Sequence, residues 1–182
     1  MSNSDDASFV SVRALTRNDR SLLGNFRCSS GSLHEKAVED RIRDVLFDWT
    51  FDSHAVANDP RTILLVDGSD PESLVAVAAH EVLNDFYSNG VLCEGTRIEV
   101  LAVSLDRRRT TVAGQRIGDL AFNALRHDVR SRIPERGPLL LAAVDKNNGP
   151  SLRLCERQGM RYLSDKPNWR GPSFIEYHIG PA

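Results

Sequence analysis

The chain has 182 residues, of which 41% are apolar and 26% are charged, and its formal net charge is −2. This length predicts a single domain with a full hydrophobic core, and the near-neutral charge excludes an overall electrostatic attraction to nucleic acid or anionic membranes. No apolar run is long enough to span a membrane. The first residues, MSNSDDASF, lack the basic and apolar pattern of a signal peptide. We therefore expect a cytoplasmic protein.

The cysteines Cys28, Cys93 and Cys155 are scattered along the chain, and no motif links them to the five histidines. Their spacing matches neither a disulfide framework nor a metal site. The sequence therefore predicts no bound metal.

The N-terminal part of the chain predicts one strand and two helices. Residues 9–15 alternate between polar and apolar side chains, as in a strand. Thr16 or Asn18 is in position to cap a short helix that ends at Gly24. Apolar residues recur at helical spacing over 33–49, which predicts the second helix.

The middle of the chain predicts a hairpin, a loop and a central strand. Two apolar runs, 61–67 and 73–83, lie on either side of a turn and so predict an antiparallel pair. Residues 84–93 contain an Asn-Gly pair and are predicted as a loop. Residues 96–103 alternate again and are predicted as the central strand.

The C-terminal part alternates between helices and strands. Residues 117–133 are amphipathic at helical spacing, and the apolar run 139–144 is typical of a strand buried on both faces. Residues 147–159 predict another helix, because Asn and Pro stand at its start and Gly at its end. Residues 160–164 and 174–179 predict two short final strands.

This order of elements predicts an α/β fold with a mixed central sheet of about six or seven strands and helices on both faces. We expect one domain over residues 9–182 and a flexible tail over residues 1–8.

The segment 94–118, EGTRIEVLAVSLDRRRTTVAGQRIG, is the most informative part of the chain. It combines a strand, a loop with consecutive arginines at 107–109, and a glycine-containing stretch, 114–118, that is predicted to open a helix. The backbone N–H groups of a helix start attract anions, and arginines donate paired hydrogen bonds to phosphate oxygens. The segment therefore predicts a site for the pyrophosphate of a cofactor.

Two blocks of sequence, EVLAVSLDRRRTTVAGQRIGDLAF and LLLAAVDKNNGPSLRLCERQGMRY, resemble the GNAT superfamily of acyl-CoA N-acyltransferases. The pyrophosphate loop of that family, Arg/Gln-x-x-Gly-x-Gly/Ala, falls on residues 113–118. Only Gly118 keeps its place, since Ala113 replaces the basic residue and Arg116 replaces the first glycine. The second block resembles the family's Asn-x-x-(Ala/Ser)-x-x-Leu-Tyr-Glu-x-x-Gly-Phe helix. It carries Asn148, Ser151, Leu154, Cys155, Glu156, Gly159 and Met160 at those positions.

The resemblance implies a sheet that is splayed between its two central strands, with acetyl-CoA or another acyl-CoA wedged between them and no metal. It places the pantetheine arm along the backbone of the central strand and the pyrophosphate on the loop that follows. The implied cofactor-binding residues are Leu101, Ala102, Val103, Arg109, Gly114, Gln115, Arg116, Ile117, Gly118, Asn148 and Ser151.

The reaction that the resemblance implies is direct transfer of an acetyl group to a primary amine, which needs a general base. Glu99, inside the central strand and in phase with Leu101 and Val103, is the first candidate, and a salt bridge with Arg97 is its structural alternative. The second choices are Glu81 and His80.

Cys155 occupies the position of the tyrosine that often serves such enzymes as general acid. A thiol is a weak hydrogen-bond donor, so three alternatives stay open. Water serves the leaving thiolate, Tyr162 or Tyr177 does so, or turnover is slow or absent. A buried packing cysteine is the structural reading of Cys155.

Loops 84–93 and 165–172 are the predicted selectors of the acceptor, because variable loops on a fixed scaffold usually carry specificity. The aromatic residues expected near this rim are Trp49, Phe86, Tyr87 and Trp169.

The acceptor stays open between a small molecule, a protein amine and an aminoacyl-tRNA, and a homodimer is expected only by analogy with the family. Two other functions are consistent with the sequence. One is an acyl-CoA-binding regulatory module with weak catalysis. The other is a toxin-type acetyltransferase acting on aminoacyl-tRNA, which the acidic net charge disfavours.

Overall fold

The structure is a computed structural model that describes residues 9–52, 58–88, 91–132, 140–167 and 173–179. The predicted tail, residues 1–8, lies outside the described residues. The helices are α1 (Arg20–Asn25), α2 (Leu33–Asp40), a π-helical turn (Arg41–Val45) that continues into α3 (Leu46–Phe51), α4 (Ile117–Arg132) and α5 (Gly149–Arg157). The strands are β1 (Val10–Ala14), β2 (Arg61–Asp67), β3 (Leu74–Ser88), β4 (Val91–Val103), β5 (Thr111–Val112), β6 (Gln115–Arg116), β7 (Leu140–Asp145), β8 (Arg161–Pro167) and β9 (Ser173–Ile179).

Seven strands form one sheet in the order β1-β2-β3-β4-β7-β9-β8, and β5 and β6 form a separate small hairpin. The pair β4–β7 is parallel, whereas every other neighbouring pair is antiparallel. This mixed sheet confirms the predicted fold class.

The two central strands separate along their length. β4 and β7 pair only from Thr96 opposite Leu140 to Ile98 opposite Ala142, although β4 continues to Val103 and β7 to Asp145. The predicted splay between the central strands is therefore present. Beyond Ile98 the edge of β4 that faces β7 has no strand partner among the described residues.

A hydrophobic core lies on each face of the sheet. Alternate residues of β2 show the division, since Ile63 and Leu65 pack with α4 and α5 whereas Leu64 and Val66 pack with the helical layer that includes Ile42. Helices therefore cover both faces, as predicted. No helix in the described ranges is both long and apolar enough to cross a membrane.

The predicted loop at 84–93 is wrong. β3 continues to Ser88 and β4 begins at Val91, and the register places Phe86 opposite Cys93 and Ser88 opposite Val91. An Asn-Gly pair between β-forming residues is typical of a tight hairpin connection. The polar composition of residues 84–93 therefore led to the wrong prediction. The predicted loop at 165–172 is also partly wrong, because residues 165–167 belong to β8, and 168–172 lie outside the described residues.

The predicted caps of the first helix are also wrong. Asp19 precedes α1, and its carboxylate accepts hydrogen bonds from the N–H of Thr16 at 2.8 Å and from Arg13 at 2.7 Å. The helix therefore starts without a side-chain cap. The second predicted helix is confirmed, with a π-helical turn in its middle.

Candidate active site

Two adjoining cavities occupy the gap between β4 and β7. The first, here called the arginine cavity, has a volume of about 470 Å³ and is lined by residues 101–103 of β4, by α5 and by five arginines. The second, here called the inner cavity, has a volume of about 540 Å³ and reaches Ile98 and Ala142, where the two strands rejoin. Leu101, Asn148 and Ser151 line both cavities, so the two form one cleft.

Three arginines of the arginine cavity make no ion pair with any described residue: Arg109, Arg116 and Arg153. The other two are already engaged. Arg108 binds Glu35 at 2.7 Å and also donates to the carbonyl oxygen of Cys28, and Arg157 binds Asp119 at 3.1 Å. Burial acts to raise the pKa of the Glu35 carboxyl, but hydrogen bonds from Ser30 and Arg108 outweigh this effect and lower the pKa to about 2. The cavity therefore keeps unpaired positive charge, which suits an anionic ligand.

Arg107 does not belong to this cavity. Its guanidinium binds Asp67 at 2.6 Å at the turn between β2 and β3. Of the three consecutive arginines, Arg107 therefore has a structural role, whereas Arg108 and Arg109 line the arginine cavity. Arg153 and Arg157 were not predicted from the sequence, although they stand at helical i, i+4 spacing on α5 and so share one face.

The stretch 113–118 does not simply open a helix. Ala113 and Gly114 have positive φ angles of 49° and 78° and form the turn of the β5–β6 hairpin, and α4 begins at Ile117. Of the predicted phosphate residues in this stretch, Arg116 and Gly118 line the arginine cavity. Gly114, Gln115 and Ile117 line neither cavity, and the Ile117 side chain packs in the core.

The start of α5 lies between the two cavities. Asn148 caps the helix, as predicted, because its side-chain oxygen accepts a hydrogen bond from the N–H of Ser151 at 3.3 Å. Asn148 and Ser151 both line the cleft. Asn148 therefore caps α5 beside the predicted position of the cofactor.

Glu99 is the extra residue of a β-bulge. Ala79 of β3 lies opposite Val100, but the next residue, His80, lies opposite Ile98. The bulge changes the phase of the strand. Leu101 packs on the α4 side of the sheet, whereas Glu99 binds Arg41 from the helical layer on the other face. The predicted common face of Glu99, Leu101 and Val103 is therefore wrong.

The Glu99 carboxylate lines the inner cavity and is 15% exposed. It forms ion pairs with Arg41 and, at 3.3 Å, with Arg97, which also binds Glu81. Both predicted roles of Glu99 are thus compatible with its position, since a salt bridge with Arg97 exists and the carboxylate still faces the cavity. Arg41 stands in the π-helical turn, a feature that often occurs at functional sites.

The second-choice bases lie away from the cleft. His80 is fully buried and its Nε2 is 2.7 Å from the Asp128 carboxylate on α4, while Glu81 is held by Arg97. Neither residue lines either cavity. Their positions indicate structural roles.

Cys155 lines the inner cavity and is 5% exposed. Burial raises the pKa of its thiol to about 11, so the thiol is neutral at physiological pH and a poor nucleophile. Tyr162 lies on β8 with 57% of its surface exposed and outside both cavity linings. The side chain of Tyr177 lies outside the described residues.

The predicted acceptor rim is described only in part. Trp49 packs against the core of the helical layer. Trp169 and the side chains of Phe86 and Tyr87 lie outside the described part of the chain. In the described ranges, no three His, Cys, Asp or Glu residues come together as a metal site.

No protein-family model matches the sequence, and no curated protein is similar to it at a significant level. The structure is nevertheless similar to solved structures. A GNAT-family protein from Desulfovibrio desulfuricans superposes with a TM-score of 0.66 at 18% identity, over 96% of this chain and 100% of its own. NAA60 of Arabidopsis thaliana in complex with acetyl-CoA gives 0.63 at 16% identity, over 94% and 98%. The ribosomal-protein-S18-alanine N-acetyltransferase of Escherichia coli gives 0.63 at 15% identity, over 96% and 95%.

These similarities extend over nearly the whole of each chain. The chain has the fold of the GNAT N-acetyltransferases.

Proposed function

We propose that the protein is an acyl-CoA-dependent N-acyltransferase that moves an acetyl or other acyl group directly to a primary amine. One observation carries this proposal: a single cleft through the split sheet has, at one end, arginines that form no ion pair with a described residue and, at the other end, a carboxylate. The GNAT fold and the resemblance of residues 96–162 support it.

The cleft is shaped for an extended ligand with an anionic end. Residues 101–103 offer backbone N–H and C=O groups that pair with no β7 residue, so they are available to the amides of a pantetheine arm. Arg109, Arg116 and Arg153, together with the start of α4 at Ile117, suit the phosphates. A coenzyme A laid in this direction brings its thioester to the inner cavity, beside Glu99.

The proposed reaction needs no covalent enzyme intermediate. The amine nitrogen attacks the thioester carbonyl carbon, a C–N bond forms, and the C–S bond breaks. Glu99, directly or through a water molecule, accepts the proton that the amine loses. Coenzyme A leaves as a thiolate and takes a proton from water, and Glu99 returns its proton to the resulting hydroxide, which regenerates the carboxylate. The neutral Cys155 thiol offers only a weak hydrogen bond.

The acceptor is a primary amine whose carrier remains open between a small molecule and a protein. The similar structures include acetyltransferases for a ribosomal-protein alanine and for spermidine, so the fold is compatible with both classes. A transfer RNA acceptor is disfavoured by the net charge of −2.

A second candidate function is an acyl-CoA-binding module without turnover. The ion pairs of Glu99 with Arg41 and Arg97 favour it, because they already engage the carboxylate that would serve as the base. The neutral Cys155 in place of a tyrosine favours it as well.

An amine screen separates the two functions. The purified protein is incubated with acetyl-CoA and a panel of polyamines, amino acids, peptides with free N-termini and lysine peptides, and free CoA and acetylated amine are quantified by mass spectrometry. An enzyme releases CoA and acetylated amine in equal amounts with at least one class. Binding of acetyl-CoA without release across the panel would favour the binding module.

A further inference from the structure

The inner cavity passes through the sheet and has two unlike halves. One half is lined from the helical layer by Leu33, His34, Ala37 and Val38, of which Leu33 is 89% exposed. The other half is lined by Phe122, Leu154 and Cys155, which belong to the core under α4 and α5. The first half, here called the open half, borders an exposed residue, whereas the second, here called the closed half, is lined by side chains that are at most 9% exposed.

We propose that the closed half of the inner cavity is an acyl pocket and that the protein prefers acyl-CoA thioesters with saturated chains longer than acetyl, such as butyryl and hexanoyl. This inference rests on the proposed function, because it requires coenzyme A to lie in the cleft. It assigns the acyl substrate class of the same site.

The chemistry of the closed half suits a hydrocarbon chain. Its walls are the Phe122 ring, which is 1% exposed, the Leu154 side chain and the neutral Cys155 thiol, with Ala142 of β7 beside them. None of these side chains carries a charge. An alkyl chain there loses its contact with water and leaves no polar group unpaired, which favours binding.

The size of the cavity also exceeds what an acetyl group needs. The cavity holds about 540 Å³, and a methylene group is similar in size to a water molecule, which takes about 30 Å³ in the liquid. At that size, the seven non-hydrogen atoms of an S-acetylcysteamine end take about 210 Å³. The rest of the cavity is shared between the incoming amine and a longer acyl chain.

The route of entry determines which group, the acyl chain or the acceptor, occupies each half of the inner cavity. A thioester carbonyl held beside residues 99–101 lies within the split, between the two halves of the inner cavity. An acceptor amine arrives from solvent and so enters through the open half, beside Leu33 and Glu99. The closed half is then reached only by a group that already lies in the split, and this is the acyl chain.

The test is the affinity of the full chain for CoA, acetyl-CoA, butyryl-CoA and hexanoyl-CoA, measured by calorimetric titration without any amine. We expect the dissociation constant to fall about fourfold for each methylene that enters the pocket, which corresponds to about 0.8 kcal/mol per buried CH₂. Failure of all four ligands to bind would overturn the proposed function itself. Equal affinity for all three acyl thioesters would overturn the acyl pocket and leave acyl-CoA binding intact.

Two matched substitutions test which half of the inner cavity holds the acyl chain. Cys155→Leu narrows the closed half, and Ala143→Leu narrows the open half from the exposed face of β7. We expect Cys155→Leu to abolish the ratio between hexanoyl-CoA and acetyl-CoA affinities and Ala143→Leu to retain that ratio. The reverse pattern would place the chain on the acceptor side and contradict the inference. If thermal melts show that Cys155→Leu does not fold, Cys155→Met provides a more adaptable filling of the same space.

Discussion

Glu99 is both an ion-paired carboxylate and part of the wall of the cleft. It is held by Arg41 and Arg97, as a structural carboxylate is, and it lines a cavity large enough for a substrate. The bulge in β4 produces this combination, because the extra residue turns the carboxylate away from the α4 core that Leu101 joins. At the residue scale, the proposed function depends on whether this carboxylate accepts a proton.

The substitution Glu99→Gln tests that role. The amide keeps the size of the side chain but is not a base, so we expect acetyl transfer to fall by about 10²–10⁴-fold, while the affinity for acetyl-CoA stays within a few-fold. Steady-state rates and calorimetric titrations check the two quantities separately. Glu81→Gln is the matched control, because Glu81 shares the Arg97 contact but does not line the cleft. Equal loss of turnover in both variants would assign the effect to the ion-pair network.

The raised pKa of the Cys155 thiol predicts the direction in which the unfolding free energy changes with pH. Burial raises the pKa of its thiol from 9.0 to about 11, so folding favours the neutral form. The stabilisation is fully present below about pH 9 and is lost as the pH rises toward 11. We expect the unfolding free energy of Cys155→Val, measured in urea, to fall less between these pH values than that of the unchanged protein. Identical pH profiles would show that the thiol does not titrate with folding.

At the scale of elements, the β5–β6 hairpin and α5 deliver the positive charge of the cleft from two distant parts of the chain. Arg116 stands at the end of β6 and Arg153 on α5, and both line the arginine cavity. Under the proposed function, Arg116 adds a charge-assisted hydrogen bond to the phosphates at the position where the resembled motif carries a glycine.

The substitution Arg116→Ala is expected to weaken the binding of CoA by about tenfold, since a charge-assisted hydrogen bond contributes about 1.5–3 kcal/mol and Arg116 is exposed to solvent. Acetyl-pantetheine, which carries no pyrophosphate, should bind both proteins equally. Arg130→Ala is the matched control, since Arg130 is an exposed arginine of α4 outside the cleft. Equal losses for both ligands would remove Arg116 from the phosphate site.

Asn148 is expected to stabilise both α5 and the cleft. Asn148→Ala removes the hydrogen bond to the N–H of Ser151 and should lower the unfolding free energy by about 1 kcal/mol. Asn148→Ser retains a capping oxygen and should restore most of that stability. Urea unfolding of the three proteins measures the effect, and equal stability of the alanine and serine variants would contradict the capping role.

The elements that could be predicted from the sequence are those whose pattern is local. The buried run at 140–144 and the amphipathic α4 each carry their own periodicity, and Asn148 with Pro150 marks the start of α5. The strand segments 84–88 and 91–95 were predicted as a loop, although the Asn-Gly pair between them is itself a local hairpin signal.

Within the site, the residues that were predicted carry a local signal in the sequence, whereas the features that were missed depend on contacts between distant parts of the chain. Arg116 and Asn148 were identified from their positions in the two motifs and Glu99 as a carboxylate inside the central strand, and all three line the cleft. The bulge at Glu99 was missed because it depends on the register with β3. Arg41, Arg153 and Arg157 were missed because only the folded chain brings them to the gap between β4 and β7.

At the scale of the whole molecule, the separation of β4 from β7 is the feature that joins fold and function. Pairing stops after Ile98, so a gap opens in the middle of the sheet and connects the arginines to Glu99. A ligand that fills this gap replaces the missing contacts between the two halves of the sheet. Binding of an acyl-CoA must therefore stabilise the folded state as a whole.

The melting temperature with and without excess acetyl-CoA or CoA tests this claim most directly. At a ligand concentration of about 100 times Kd, binding to the folded state adds about 2.7 kcal/mol, which is expected to raise the melting temperature by about 5–10 °C for a chain of this size. ATP, which carries phosphates but no pantetheine, should give a smaller rise. An unchanged melting temperature with both acetyl-CoA and CoA at millimolar concentration would contradict the account.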